Sequence, residues 1–116
     1  MIYIFSAFYA EAKNIIDHYG LKKEKSPEMV RFDVFANESI RLVITGVGEI
    51  NAAAAVSNIG GAYGISQDDE ILNVGCGAGF SSDICMGSIF LGNKLTEQMT
   101  GRTFYPDMLM KANFRE

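Results

Sequence analysis

The stretch Ile71-Leu72-Asn73-Val74-Gly75-Cys76-Gly77-Ala78-Gly79-Phe80 decides how the rest of the chain is read. An apolar run short enough for a buried strand passes straight into a loop with a glycine at every second position. Such a loop can cradle a phosphate, seat a flat base, or simply turn a corner. The elements on either side must choose between these.

Upstream, Ile2 to Ala7 is a compact apolar run rich in β-formers and predicts a buried strand. Tyr9 to Tyr19 places Ala10, Ala12, Ile15, Ile16 and Tyr19 at near-helical spacing, and Gly20 sits where a helix C-cap glycine belongs. The charged, proline-containing LKKEKSPE reads as an exposed connection. From Met29 to Ala36, Val30, Phe32 and Val34 alternate with Arg31 and Asp33, which predicts a strand. Asn37-Glu38-Ser39 turns the chain, and Ile40 to Thr45 returns as the second arm of a hairpin. Gly46-Val47-Gly48 leads into a helix from Glu49 to Tyr63, where NAAAAVSN favours helix and Ala52, Val56 and Ile59 form one stripe. The strand Ile71 to Val74 follows, then a last strand from Ser88 to Leu91. Beyond Gly92 the pattern fades into a loop with room for a short helix.

The expected order is thus β-α-β-β-α-β-β. That predicts an α/β fold with a mixed sheet flanked by helices. In such sheets ligands bind beyond the carboxyl ends of the strands. Three segments leave strand ends: Ser6-Ala7-Phe8 up to Glu11, Gly46-Val47-Gly48, and Gly75 to Gly79. If their strands are parallel, the three loops meet on one edge, which is the candidate site.

Bulk properties narrow the function. At 116 residues the chain suffices for one domain with a modest core. A net charge of −4 with scattered Lys and Arg argues against nucleic acid as a partner. No apolar run is long enough to span a bilayer, and MIYIFSAFYAEAK lacks the basic start and cleavage site of a signal peptide. No membrane partner and a cytoplasmic location are therefore expected. Cys76 and Cys85 form no CxxC pair, and His18 is the single histidine, so neither a metal site nor a Cys/His or Ser/His/Asp triad is expected. His18 reads as a helix-end residue.

Four pieces in order, SAFYAEA, TGVGEINAAAA, NVGCGAGF and the later GSIFL, resemble the nucleoside phosphorylase and nucleosidase superfamily, and most nearly its methylthioadenosine/adenosylhomocysteine nucleosidases. The resemblance implies the N-terminal half of a nucleoside phosphorylase-like fold, a single partial domain over residues 1–116. It implies cleavage of the N-glycosidic bond of a purine nucleoside, with no cofactor. Glu11 falls where the family's glutamate positions the attacking water. Val47 falls near the sugar, and Cys76, Gly77 and Ala78 in the loop that contacts base and ribose. Phe104 and Tyr105, in the FYPD tetrapeptide Phe104 to Asp107, fall where relatives carry a loop reaching a neighbour's pocket. Related phosphorylases carry arginines after the first strand and before the base loop; this chain has SAFYAEA and Asn73 there. A carboxylate at Glu11 repels phosphate and suits water, so hydrolysis is expected over phosphorolysis.

Plainer readings stand beside these. Glu11 in a first helical turn is stabilised by the macrodipole without catalytic duty. The loop glycines can serve a tight strand exit. Cys76 can be a small buried thiol, and it replaces a hydroxyl residue of the nucleosidase branch. Ser88 stands where many relatives have aspartate, and Pro106 can open a surface turn. Relatives are about twice as long. Their second half supplies a ribose-binding glutamate and the aspartate that protonates the base; Asp107 and Glu116 sit in no comparable motif. The chain is therefore expected to meet a homo-oligomeric partner or a chain supplying the C-terminal half. The alternatives are a non-catalytic nucleoside-binding or oligomerisation module and a phosphorylase half-domain. A dinucleotide-binding fold fits poorly, because GCGAGF lacks the third glycine at the required spacing and SSDICMG opens no helix.

Overall fold

The computed structural model describes residues 1–106. It divides into two compact units, Met1–Gly77 and a second that begins at Ala78. The tail that includes Asp107 and Glu116 lies outside the described residues.

The first unit is a mixed α/β arrangement. Its elements are β1 (Ile2–Ser6), α1 (Tyr9–Tyr19), β2 (Lys22–Lys23), β3 (Asp33–Ala36), β4 (Ile40–Ile44), α2 (Glu49–Tyr63) and β5 (Glu70–Asn73). The five strands form one sheet in the order β2-β3-β4-β1-β5. β4, β1 and β5 run parallel, with Ile4 level with both Leu42 and Leu72. β3 is antiparallel to β4 and to β2. β1 has a neighbour on each edge and side chains packed on each face. This explains why IYIFS reads as an unbroken apolar run with no polar alternation.

The two faces of the sheet carry separate cores. Tyr3, Phe5, Val34 and Val43 pack with Ala55 and Ile59 of α2. Ile4, Ile40 and Leu42 pack with Ala12 and Ile16 of α1 and with Leu21. Ala12 and Ile16 are one turn apart, so a single stripe of α1 meets the sheet. Gly20 ends that helix in the left-handed region at φ 62° and donates its N–H to the carbonyls of Ile16 and Asp17. Asn37 then fixes the hairpin turn. Its Oδ1 accepts from the N–H groups of Ser39 and Ile40 (both 2.8 Å), and its Nδ2 donates to the carbonyl of Tyr19 at 3.1 Å.

Three expectations for this unit need correction. The strand read from Met29 covers only Asp33–Ala36. The missing part is held by α2 instead of a ladder: Asn58 accepts from the N–H of Arg31 (3.0 Å) and donates to the carbonyl of Met29 (2.9 Å). Within the supposed connection, Lys22–Lys23 forms a short edge strand against Phe35 and Ala36. Exposed lysines at such an edge discourage further pairing. The stripe of α2 is Ala55 and Ile59, while Ala52 and Val56 face outward. An alanine-rich helix offers several equivalent stripes, so its periodicity does not say which one packs.

At the end of the sheet remote from the strand exits, polar side chains tie the unit together. The Arg41 guanidinium lies 4.1 Å from the ring centroid of Tyr63 and donates through Nη1 to the hydroxyl of Tyr3 at 3.1 Å. The Tyr63 hydroxyl donates to Glu24 Oε2 at 2.5 Å. Burial, and then this bond to Glu24, raise the Tyr63 phenol above its ordinary value. Before β5, the N–H of Ser66 donates to Asp69 at 2.9 Å and lowers that carboxyl below the ordinary 3.8. A depressed aspartate contributes stability above its unfolded pKa, lost as pH falls through the lower folded value. The melting temperature should therefore fall as pH drops below about 4, and less steeply in Asp69→Asn. Equal slopes in the two proteins would refute this contribution.

In the second unit Ser88 to Leu91 forms no strand. No other segment among the described residues pairs with it, and Ser88 to Phe90 are exposed. The region read as loop and short helix instead holds a hairpin of β6 (Leu95–Thr96) and β7 (Thr103–Phe104). Leu95 faces Phe104 across it, and the Thr96 and Thr103 hydroxyls lie 3.3 Å apart. Gly101 makes the turn at φ 71°.

Candidate functional site

The site is built by the parallel part of the sheet. Because β4, β1 and β5 share one direction, their carboxyl ends open on one edge, with β1 in the middle. The condition set by the sequence is met. Lateral hydrogen bonds fix the three exits. Thr45 donates its N–H to the carbonyl of Ser6 (2.8 Å), Gly46 donates to Ala7 (3.1 Å), and Val74 donates to Phe5 (3.0 Å).

Glu11 stands in the first turn of α1, where a negative charge is favoured. Its Oε2 is buried and has no hydrogen-bond partner among the described residues. A β-carbon placed on Gly75 would lie 3.7 Å from that oxygen. The carboxylate of α1 thus reaches the glycine loop after β5. Neither Phe8 nor Gly48 caps its helix with a side chain.

Between β4 and α2, Gly46 and Gly48 take φ 84° and 96°. The Asn51 amide donates to the carbonyl of Val47 at 2.7 Å and holds this turn closed. An open depression of about 740 Å³ is lined by Val47, Gly48, Glu49, Ile50 and Asn51. Val47 itself is exposed. A methyl on Gly46 would meet Asn51 Nδ2 at 3.1 Å in a left-handed backbone. Gly46→Ala should therefore cost about 1–3 kcal/mol, read as a lowered urea midpoint. An unchanged midpoint would show that the turn is not constrained.

The charge of the edge is one-sided. Residues 6–11, 45–51 and 74–77 include Glu11 and Glu49 but no lysine, arginine or histidine. These segments themselves supply no cation for an anionic ligand. His18, at the other end of α1, is exposed in the last turn.

The structure brings together Glu11 and the start of the glycine loop, with Val47 on a neighbouring exit. Cys76 and Gly77 close the first unit and are exposed, so Cys76 is not the buried thiol of the plainer reading. Ala78, Phe104 and Tyr105 belong to the second unit, where all three are exposed. Sequence reading passed over Ser6 as a site residue, although one signal was present: a hydroxyl ending an otherwise apolar strand. Ser6 is 1% exposed and its Oγ, like Glu11 Oε2, has no partner among the described residues. No family model, curated protein or solved structure matches this chain.

Proposed function

We propose that the chain is the N-terminal part of a purine nucleosidase, with the fold of half a nucleoside phosphorylase-like domain, acting in the cytoplasm on a nucleoside such as methylthioadenosine or adenosylhomocysteine. The observation that carries this reading is the unpartnered, buried oxygen of Glu11 beside Gly75, at the carboxyl edge of three parallel strands. A buried carboxylate oxygen without a donor is costly unless something outside the chain completes it. Water does so, and a carboxylate is the group to orient it.

In the reaction, the water oxygen bonds to the anomeric carbon as the carbon–nitrogen bond breaks. The electron pair of that bond leaves with the base, and the water's proton passes to Glu11. The departing base takes a proton from an acid that the resemblance assigns to a C-terminal half. The lack of cations in the three loops favours water over phosphate as nucleophile.

Binding tests the location. Methylthioadenosine added to the 15N-labelled chain should shift the amides of residues 46–48 and 75–77. Shifts confined to the Arg41–Tyr63 end would place the ligand elsewhere and defeat the proposal. A second reading, a non-catalytic nucleoside-binding or oligomerisation module, draws on Ile71. That residue is 52% exposed on β5, an edge strand without the lysines that guard β2.

A further inference from the structure

Two buried oxygens at the candidate site, Ser6 Oγ and Glu11 Oε2, lack partners among the described residues. Ile2 and Ile4 of β1 pack on the α1 side, while Tyr3 and Phe5 pack on the α2 side. Strand alternation therefore puts the Ser6 side chain on the α1 side. Glu11 directly precedes Ala12, the residue by which α1 packs on that same cluster. Gly75 directly follows Val74, which packs there too. Ser6 therefore lies on the α1 side at the exit of β1, and Glu11 Oε2 lies beside Gly75 at the neighbouring exit of β5.

A hydroxyl at this place costs stability that alanine would not, unless it makes a hydrogen bond. The carbonyl of Ser6 is satisfied by Thr45, but its hydroxyl is not. The two orphans have complementary needs. The carboxylate requires a donor, and the hydroxyl requires an acceptor. A single water is both, and buried waters commonly serve polar groups left unpaired by the fold.

We propose that Ser6 is a positioning residue: its hydroxyl donates to the oxygen of one water, and that water donates to Glu11 Oε2. This arrangement leaves the water a free lone pair for the anomeric carbon. The water's role as nucleophile rests on the nucleosidase reading; the water itself does not.

A crystal structure of the full chain at high resolution tests the water first. One density peak should lie within about 3.2 Å of both oxygens, and it should vanish in Ser6→Ala. Absence of a shared peak in the wild-type protein overturns the proposal. The role is tested by turnover of methylthioadenosine when the C-terminal half of a nucleosidase is supplied as a separate chain. Loss of one hydrogen bond should lower kcat by up to about tenfold with KM unchanged, and Ser6→Thr should restore it. Unchanged kcat in Ser6→Ala also overturns the proposal. The two readings fail differently. If Glu11→Gln abolishes turnover while no shared peak is found, only the role of Ser6 falls. If Glu11→Gln keeps full turnover while the peak is present, the nucleosidase reading of Glu11 falls and the hydration site remains.

Discussion

Glu11→Gln is expected to lower phosphate-independent purine release by about 10²–10⁴-fold when the C-terminal half is supplied. Glutamine keeps the shape of the side chain and its position in the first turn of α1. It cannot take a proton from water. The same substitution should change the melting temperature little, because the loss of a favoured first-turn charge is offset by removal of a buried charged oxygen without a donor. Among the described residues Glu11 Oε2 has no donor, so the carboxylate contributes no hydrogen bond to the described fold at that oxygen. A carboxylate oxygen that accepts no hydrogen bond from the fold yet governs turnover is the mark of a functional group. Full activity in Glu11→Gln would remove Glu11 from the mechanism. A large fall in melting temperature would instead make it a structural residue.

Leu42→Ala is expected to cost about 2–5 kcal/mol, the largest stability effect among the substitutions considered. Leu42 is fully buried in β4, with Ile4 beside it on β1 and Phe35 beside it on β3. It lies in the same cluster as Ala12 and Ile16, so its loss opens a cavity under α1. Small domains hold only about 5–15 kcal/mol in total. Each kcal/mol corresponds to about 4–8 °C at this size, so the melting temperature should fall by about 10 °C or more. Val56→Ala on the outer side of α2 is the control, since Val56 is 40% exposed. Thermal unfolding of both variants decides the matter. Equal losses would mean that the packing between sheet and α1 does not govern stability. The effect should reach function as well, because Glu11 is carried on α1.

Much of the first unit was legible in the sequence, for identifiable reasons. α1 and α2 have the expected bounds, Tyr9–Tyr19, which Gly20 closes, and Glu49–Tyr63, which the alanine-rich run marks. The hairpin of β3 and β4 was marked by Asn37, which does turn the chain. What escaped depends on contacts between distant residues. Asn58 takes the backbone of residues 29–31 out of the sheet, and nothing local to that segment says so. Lys22 and Lys23 pair only because Phe35 and Ala36 lie beside them. In the second unit GSIFL has the composition of a strand but no partner among the described residues, whereas Thr96 and Thr103 have each other.

The site was legible as three loops and one carboxylate. Their meeting depended on strand direction, which sequence alone did not supply. The approach of Gly75 to Glu11 is a tertiary contact between elements far apart in the chain. Ser6 appeared only as the start of a strand-exit segment, because a single serine at a strand end is common. Only its burial and its missing partner give it meaning.

The most direct measurement is purine release from methylthioadenosine, adenosylhomocysteine and inosine, with and without phosphate, by the chain together with a nucleosidase C-terminal half. Release in the absence of phosphate, lost in Glu11→Gln, is the predicted result. Release that requires phosphate, or that survives the loss of Glu11, would contradict the account.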